Sequence, residues 1–383
     1  MFIILNTFLV ISSVIFWPFA ANDSFLAIKE AVFVLGALSL FSYSFCCQSF
    51  FSLRNPFLAT GLFYIALGFV YFFYSSFITA NGKVIWNFWN FRPTVSVLCG
   101  ILIIKLLYEC ASTKDWVDTG KVIAWLGGIF ALYSIFQYFS IDQIFKNEKI
   151  LYVNGHFDRK LQMVSFFGSV FLTSGFLALC APMCLIFKDL RYKFFYVAIL
   201  IALILLDKTM ALASFGTGLV VYLLMNRSWV KLILLILIFI TGGIFYAFYN
   251  PEFFSLTGRV ELWKITWNKF LEAPFFGHGL GSFEMFQFKP GNTVTFFAHN
   301  EYLQILFDIG IVGFSIFVLF VVDLFKRIFV SENNILLIGY IAGLISFLVL
   351  CLGSFPLRIA PLALIAVIYT AGILSQTKGA IHE

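Results

Sequence analysis

Residues 251–313 read PEFFSLTGRVELWKITWNKFLEAPFFGHGLGSFEMFQFKPGNTVTFFAHNEYLQILFDIGIVG, and this stretch sets the reading of the whole chain. It carries two of the four histidines, His278 and His299, together with the pair Gly258-Arg259, the glycine run Gly277–Gly281 and the polar run His299-Asn300-Glu301. Polar groups that interrupt a strongly apolar chain are costly to keep without a use. The chemistry of the chain is therefore expected here.

The surroundings support that weighting. Of the 383 residues, 61% are hydrophobic, 20% aromatic and only 11% charged. A soluble domain carries about 25% charged residues. Long apolar runs between short polar joints predict an all-α polytopic membrane protein, because a bilayer admits only internally hydrogen-bonded helices or closed barrels. Runs such as 230–248 are apolar on every face and lack the alternation of a barrel strand. A hydropathy window predicts about 12 transmembrane helices, at 2–20, 25–47, 56–78, 93–109, 117–139, 161–187, 193–207, 209–226, 230–249, 301–322, 334–353 and 357–374. An even count puts both termini on one side. The basic clusters KDLRYK and FKR at helix ends place that side in the cytoplasm.

The expected organisation is one transmembrane domain over 1–383, with a smaller periplasmic loop at 140–160 and a large periplasmic catalytic loop at 250–300. The net charge of +6 is scattered over short joints, which excludes a nucleic-acid surface. The seven cysteines lie mostly in apolar runs without metal or redox spacing, and read as small buried hydrophobes. Membrane lipids are the expected surroundings.

Within the decisive stretch, Arg259 opens an amphipathic helix to about Leu271, with Arg259, Trp263, Trp267 and Phe270 on one face. Ala273-Pro274 ends it. The run Gly277–Gly281 predicts turns and close backbone approach, and His278 within it reads as either a loop residue or a site residue. Glu301 and Asp308 lie seven apart on one helix face below His299, placed either to orient it or to close a capping network. The two histidines with these two carboxylates lack compact metal-ligand spacing. Upstream, Asn154-Gly155-His156-Phe157-Asp158-Arg159-Lys160 is either an ordinary loop with Asp158 capping the next helix, or an entrance lined by His156, Arg159 or Lys160.

Taken together, Gly258-Arg259, the Trp263/Trp267 helix, Pro274, the GxGxGxF run Gly277–Phe283, and His299-Asn300-x-Tyr302-Leu303-Gln304 followed by Gly310-x-x-Gly313 resemble the O-antigen ligase/polymerase superfamily. That superfamily includes the lipid A core:O-antigen ligase, Wzy-type polymerases and bacterial O-oligosaccharyltransferases. The resemblance is strong over 251–313 and extends over about 150–313. It implies a multi-pass enzyme of the bacterial inner membrane that takes a glycan from an undecaprenyl-diphosphate carrier, without metal, nucleotide or other cofactor. The acceptor is lipid A core in a ligase or a carrier-linked glycan in a polymerase. By this resemblance His299 is the base or acceptor orienter, and Arg259 meets the diphosphate.

A second arginine of the family falls on Lys208, which lacks the bidentate fork; Arg159 or Arg358 would then fill its role. His156, His278, Asn300, Glu301, Tyr302 and Trp263 complete the candidate substrate-binding set. The residues also suit the chemistry itself. A cation must stabilise the leaving diphosphate and a base must take the acceptor proton. A polysaccharide flippase or transporter is the alternative of another class. It predicts internal repeats and broken helices at mid-membrane, and no repeat links 1–190 to 191–383.

Overall fold

A computed structural model describes residues 2–14, 88–139, 148–153, 156–161, 163–233, 257–286, 295–331 and 334–378, with a few isolated positions between them. The main helices among them are α1 (Phe2–Val14), α2 (Phe88–Cys110), α3 (Thr113–Tyr138), α4 (Val170–Ile186), α5 (Leu190–Leu206), α6 (Thr209–Met225), α7 (Thr257–Phe270), α8 (Glu301–Val330), α9 (Ile335–Leu350) and α10 (Ala360–Gln376). Their ends follow from local chemistry. Ser112 and Asp115 form a reciprocal capping box before α3, and Asn334 Oδ1 accepts the Leu337 N–H at 2.8 Å to start α9. Asp207 closes α5 in the left-handed conformation and Lys208, extended, opens α6, so the expected break between 193–207 and 209–226 is present.

Helices α3 to α6, α9 and α10 pack on one another around one apolar core. Close approach depends on small residues. A Cβ on Gly127 would stand 2.5 Å from Cys180 Cβ, and one on Gly128 would enter the Phe195 ring. Buried tyrosines lock the helices by donating across them: Tyr340 Oη to the Trp116 carbonyl at 2.7 Å and Tyr369 Oη to the Leu179 carbonyl at 2.6 Å. Cys99, Cys180, Cys184 and Cys351 are free and buried, as small apolar residues would be.

Three expectations require correction. Among the described residues, two helices are long and apolar enough to cross a membrane, α3 and α8, in place of about 12. The multi-pass inner-membrane localisation built on that count, with both termini cytoplasmic, is overturned with it. The physical reason lies in length and packing. Helices α4, α6, α9 and α10 are apolar but have 16 or 17 residues, about 25 Å at the α-helical rise, against a hydrocarbon core of about 30 Å. Much of their apolar surface is covered by neighbouring helices. A hydropathy window registers such packed helices and membrane-crossing ones alike. The spans expected at 25–47, 56–78 and 230–249 lie largely outside the described residues.

The all-α class is also incomplete. β1 (Glu148–Val153) and β2 (His156–Leu161) form an antiparallel hairpin in which Val153 pairs with His156 and Leu151 with Asp158. Asp158 is thus a strand residue, not the cap of α4, which Ser169 occupies.

Chain direction and packing bring one set of helix ends together. The start of α4, the 206–209 turn, the start of α8 and the 351–359 turn meet at one end of the helices, and the candidate site is built there.

Candidate active site

The helix α7 buries Leu262, Thr266 and Phe270, with Trp263 half-buried beside them. Trp267, expected on the same face, is exposed. Leu262 joins Phe283, Ala298 and Phe307 in a small apolar cluster separate from the main core, which holds α7 against the start of α8. The Trp263 indole N–H donates to the Ala298 carbonyl at 2.9 Å.

The glycine run acts through backbone. Gly310 interrupts α8 with φ 65° and ψ −173°. The interruption leaves carbonyls and N–H groups of the helix without partners, and the 273–279 segment supplies them. His278 N–H donates to the Phe307 carbonyl at 2.9 Å, and Gly279 N–H to that of Asp308 at 2.8 Å. In return Ile311 and Val312 N–H donate to Pro274 and Phe275 at 2.9 and 3.1 Å. Gly277 has φ 74°, and a Cβ on it would lie 2.6 Å from the Asp308 carbonyl carbon, while a Cβ on Gly310 would strike the Phe275 carbonyl. Both positions require glycine on two counts. The His278 ring stacks on Phe307 at 4.6 Å and its Nε2 donates to the Lys269 carbonyl at 2.7 Å, tying the loop to the end of α7.

His299 precedes this helix start in the left-handed conformation, φ 51°, which few residues other than glycine adopt. Its neighbours are fixed on both sides. Asn300 caps α8 by accepting the Leu303 N–H at 3.1 Å, and Glu301 N–H donates to the Cys351 carbonyl at 2.9 Å. Tyr302 Oη donates to the Leu348 carbonyl at 2.7 Å, so its hydroxyl serves the junction with α9. The imidazole stands edge-on to Phe171 at 6.2 Å and to Phe355 at 5.0 Å. Phe297 stacks on the Phe355 ring at 4.3 Å. The guanidinium carbon of Arg259 lies 6.0 Å from the Phe171 ring centroid, so cation and imidazole share one aromatic wall. Burial, followed by the charge of Arg259, pulls the His299 pKa down to about 4. Burial also lowers that of Arg259. His299 Nδ1 is buried without a hydrogen-bond partner among the described residues.

Arg358 is used differently. Its Nε donates to Glu301 Oε1 at 3.1 Å and an Nη to Asp308 Oδ2 at 2.7 Å, with both carboxylates 0–1% exposed. Burial opposes its charge, but Asp308 and Glu301 outweigh that cost and hold its pKa above the usual range. Glu301 and Asp308 share a helix face, as the spacing implies, and their partner is Arg358. Lys208 opens α6 at the same end of the helices, where Met210 packs on Gly353, but no ring or ion-pair contact joins it to Arg259 or His299 among the described residues. His156 and Arg159 lie on β2, opposite Val153 and Ile150. The sequence reading missed Phe171 and Phe355 as individual site residues, since single phenylalanines stand out poorly in a chain with 52 of them.

Against known proteins, residues 194–318 match the family model for O-antigen ligase. A candidate polysaccharide ligase from Rickettsia conorii is 27% identical over 186 residues, covering 40% of this chain and 45% of the relative, so the match spans less than half of that protein. The matched family segment runs from α5 into α8 and contains Arg259, the glycine run and His299. Over this segment the chain is similar to the O-antigen ligase/polymerase superfamily.

Proposed function

We propose that the protein is a glycosyltransferase that moves a glycan from an undecaprenyl-diphosphate carrier to lipid A core, with 250–300 as its catalytic segment. The observation that carries this reading is the pairing of Arg259 and His299 across Phe171, with His299 Nδ1 unpartnered. Arg259 binds the diphosphate, for which a guanidinium has matching geometry. His299 is neutral at neutral pH, so its ring nitrogen can accept a proton. The acceptor hydroxyl oxygen attacks the anomeric carbon while its proton passes to His299. The bond from that carbon to the diphosphate oxygen breaks, and its electron pair leaves on the diphosphate, stabilised by Arg259. One direct displacement inverts the anomeric centre. Half-buried Phe171, Phe297 and Phe355 give the glycan or its lipid an apolar surface beside the reacting groups.

The test uses the full-length protein with an undecaprenyl-diphosphate-linked O-antigen repeat and lipid A core. Label appearing on the core supports the reading. Chain growth on the carrier makes the protein a polymerase, and turnover with neither acceptor would remove the glycosyltransferase assignment.

A further inference from the structure

We infer that Trp263 and Gln304 are positioning residues for His299, gripping the Ala298 backbone from both sides so that the imidazole is held at a set distance from Arg259. The inference rests on the reading of His299 as the proton acceptor.

Ala298 is fully buried, and both its backbone groups are bound to side chains. Its carbonyl accepts from Trp263 Nε1 at 2.9 Å, and its N–H donates to Gln304 Oε1 at 2.9 Å. The first bond fixes the peptide plane that joins Ala298 to His299. The second fixes the plane before it. Immediately after them His299 takes a left-handed backbone, and Asn300 is committed as the cap of α8. A non-glycine residue stays in that conformation only where its surroundings over-determine it, and such strain gathers where a side chain must be aimed.

Both clamping side chains come from elements that already carry site groups. Trp263 stands one turn after Arg259 on α7, so the helix that presents the cation also holds the peptide of the imidazole. Gln304 stands one turn into α8, is 1% exposed, and lies between Glu301 and Asp308 of the buried ion triad. With its N–H committed to Ala298, the Trp263 indole is a strut between the two reacting groups and not a sugar-binding edge.

The variants Trp263→Phe and Gln304→Met remove one hydrogen-bonding atom each and keep most of the side-chain volume. Steady-state transfer is measured with full-length protein, undecaprenyl-diphosphate-linked O-antigen repeat at varied concentration and saturating lipid A core, beside His299→Ala. Each variant is expected to lose about tenfold in kcat with the donor KM within about twofold, because the imidazole is misplaced while the cation is not. A raised donor KM with kcat retained would show that Trp263 acts through Arg259, and overturns the inference. Unchanged kcat in both variants also overturns it. If Trp263→Phe does not accumulate, Gln304→Met tests the other side of the same backbone unit. Near-parental turnover by His299→Ala is a separate result, since it removes His299 from the chemistry whatever the clamp does.

Discussion

Arg358 and Arg259 stand at the same end of the helices, and their surroundings are opposite. Arg358 is closed in by two carboxylates from one helix face, with all its charge answered inside the protein. Arg259 has an aromatic ring and an imidazole nearby and no carboxylate partner among the described residues. A buried cation with two anions is a fixed part of the fold. A half-buried cation facing only neutral groups retains its attraction for an outside anion, and desolvation strengthens that attraction. The neutral imidazole beside it fits the same logic, since burial first and then the cation lower its pKa.

Removing Arg358 should break the contrast most forcefully. Arg358→Met strands Glu301 and Asp308 in a buried site, and a loss of about 3–5 kcal/mol is expected in thermal or urea unfolding. Arg259→Met should stay within about 1 kcal/mol of the parent in the same measurement; equal losses would make both arginines structural. Next in size, His299→Ala should lower transfer by about 10²-fold while the protein still accumulates and unfolds as the parent does. Arg259→Lys keeps the charge and loses the fork, so its donor KM should rise about tenfold, measured at saturating acceptor. An unchanged KM would mean that Arg259 only anchors α7.

The smallest effect is in pH. The charge of Arg259 contributes to depressing the His299 pKa to about 4, so protonation removes the base only below that value in the free enzyme. The acid limb of kcat/KM should therefore lie near 4. With a donor diphosphate against Arg259 that contribution is offset, so the acid limb of kcat should move upward by a fraction of a unit to about one unit. Coincident limbs would place the diphosphate elsewhere. Burial, the larger cause, remains in both states and keeps the limb below the ordinary histidine value of about 6.5.

The helical character, the turns around Gly277–Gly281, the shared helix face of Glu301 and Asp308 and the candidacy of Arg259 and His299 were all readable from residue order. Each depends on neighbours within a turn or two. What was not readable depended on distant partners. Residue order leaves Glu301 and Asp308 either orienting His299 or closing a capping network, and nothing along the chain says that Arg358, about fifty residues on, binds both. Trp263 reads as a substrate-binding ring until Ala298 is seen accepting from its indole. The span count failed for a related reason, since apolar helices that cover one another give the same hydropathy as helices that face lipid.

The interruption at Gly310 separates two design problems in one continuous apolar segment. The nine residues above it carry the cap, the ion triad and the contact with the glycine run, and their angular setting is fixed by those bonds. The twenty residues below begin again from Pro274 and Phe275. A one-residue insertion there would turn the lower faces by about 100° and leave Glu301 and Asp308 aimed at Arg358. A change of length or surface in the lower segment therefore leaves the machinery above it in register.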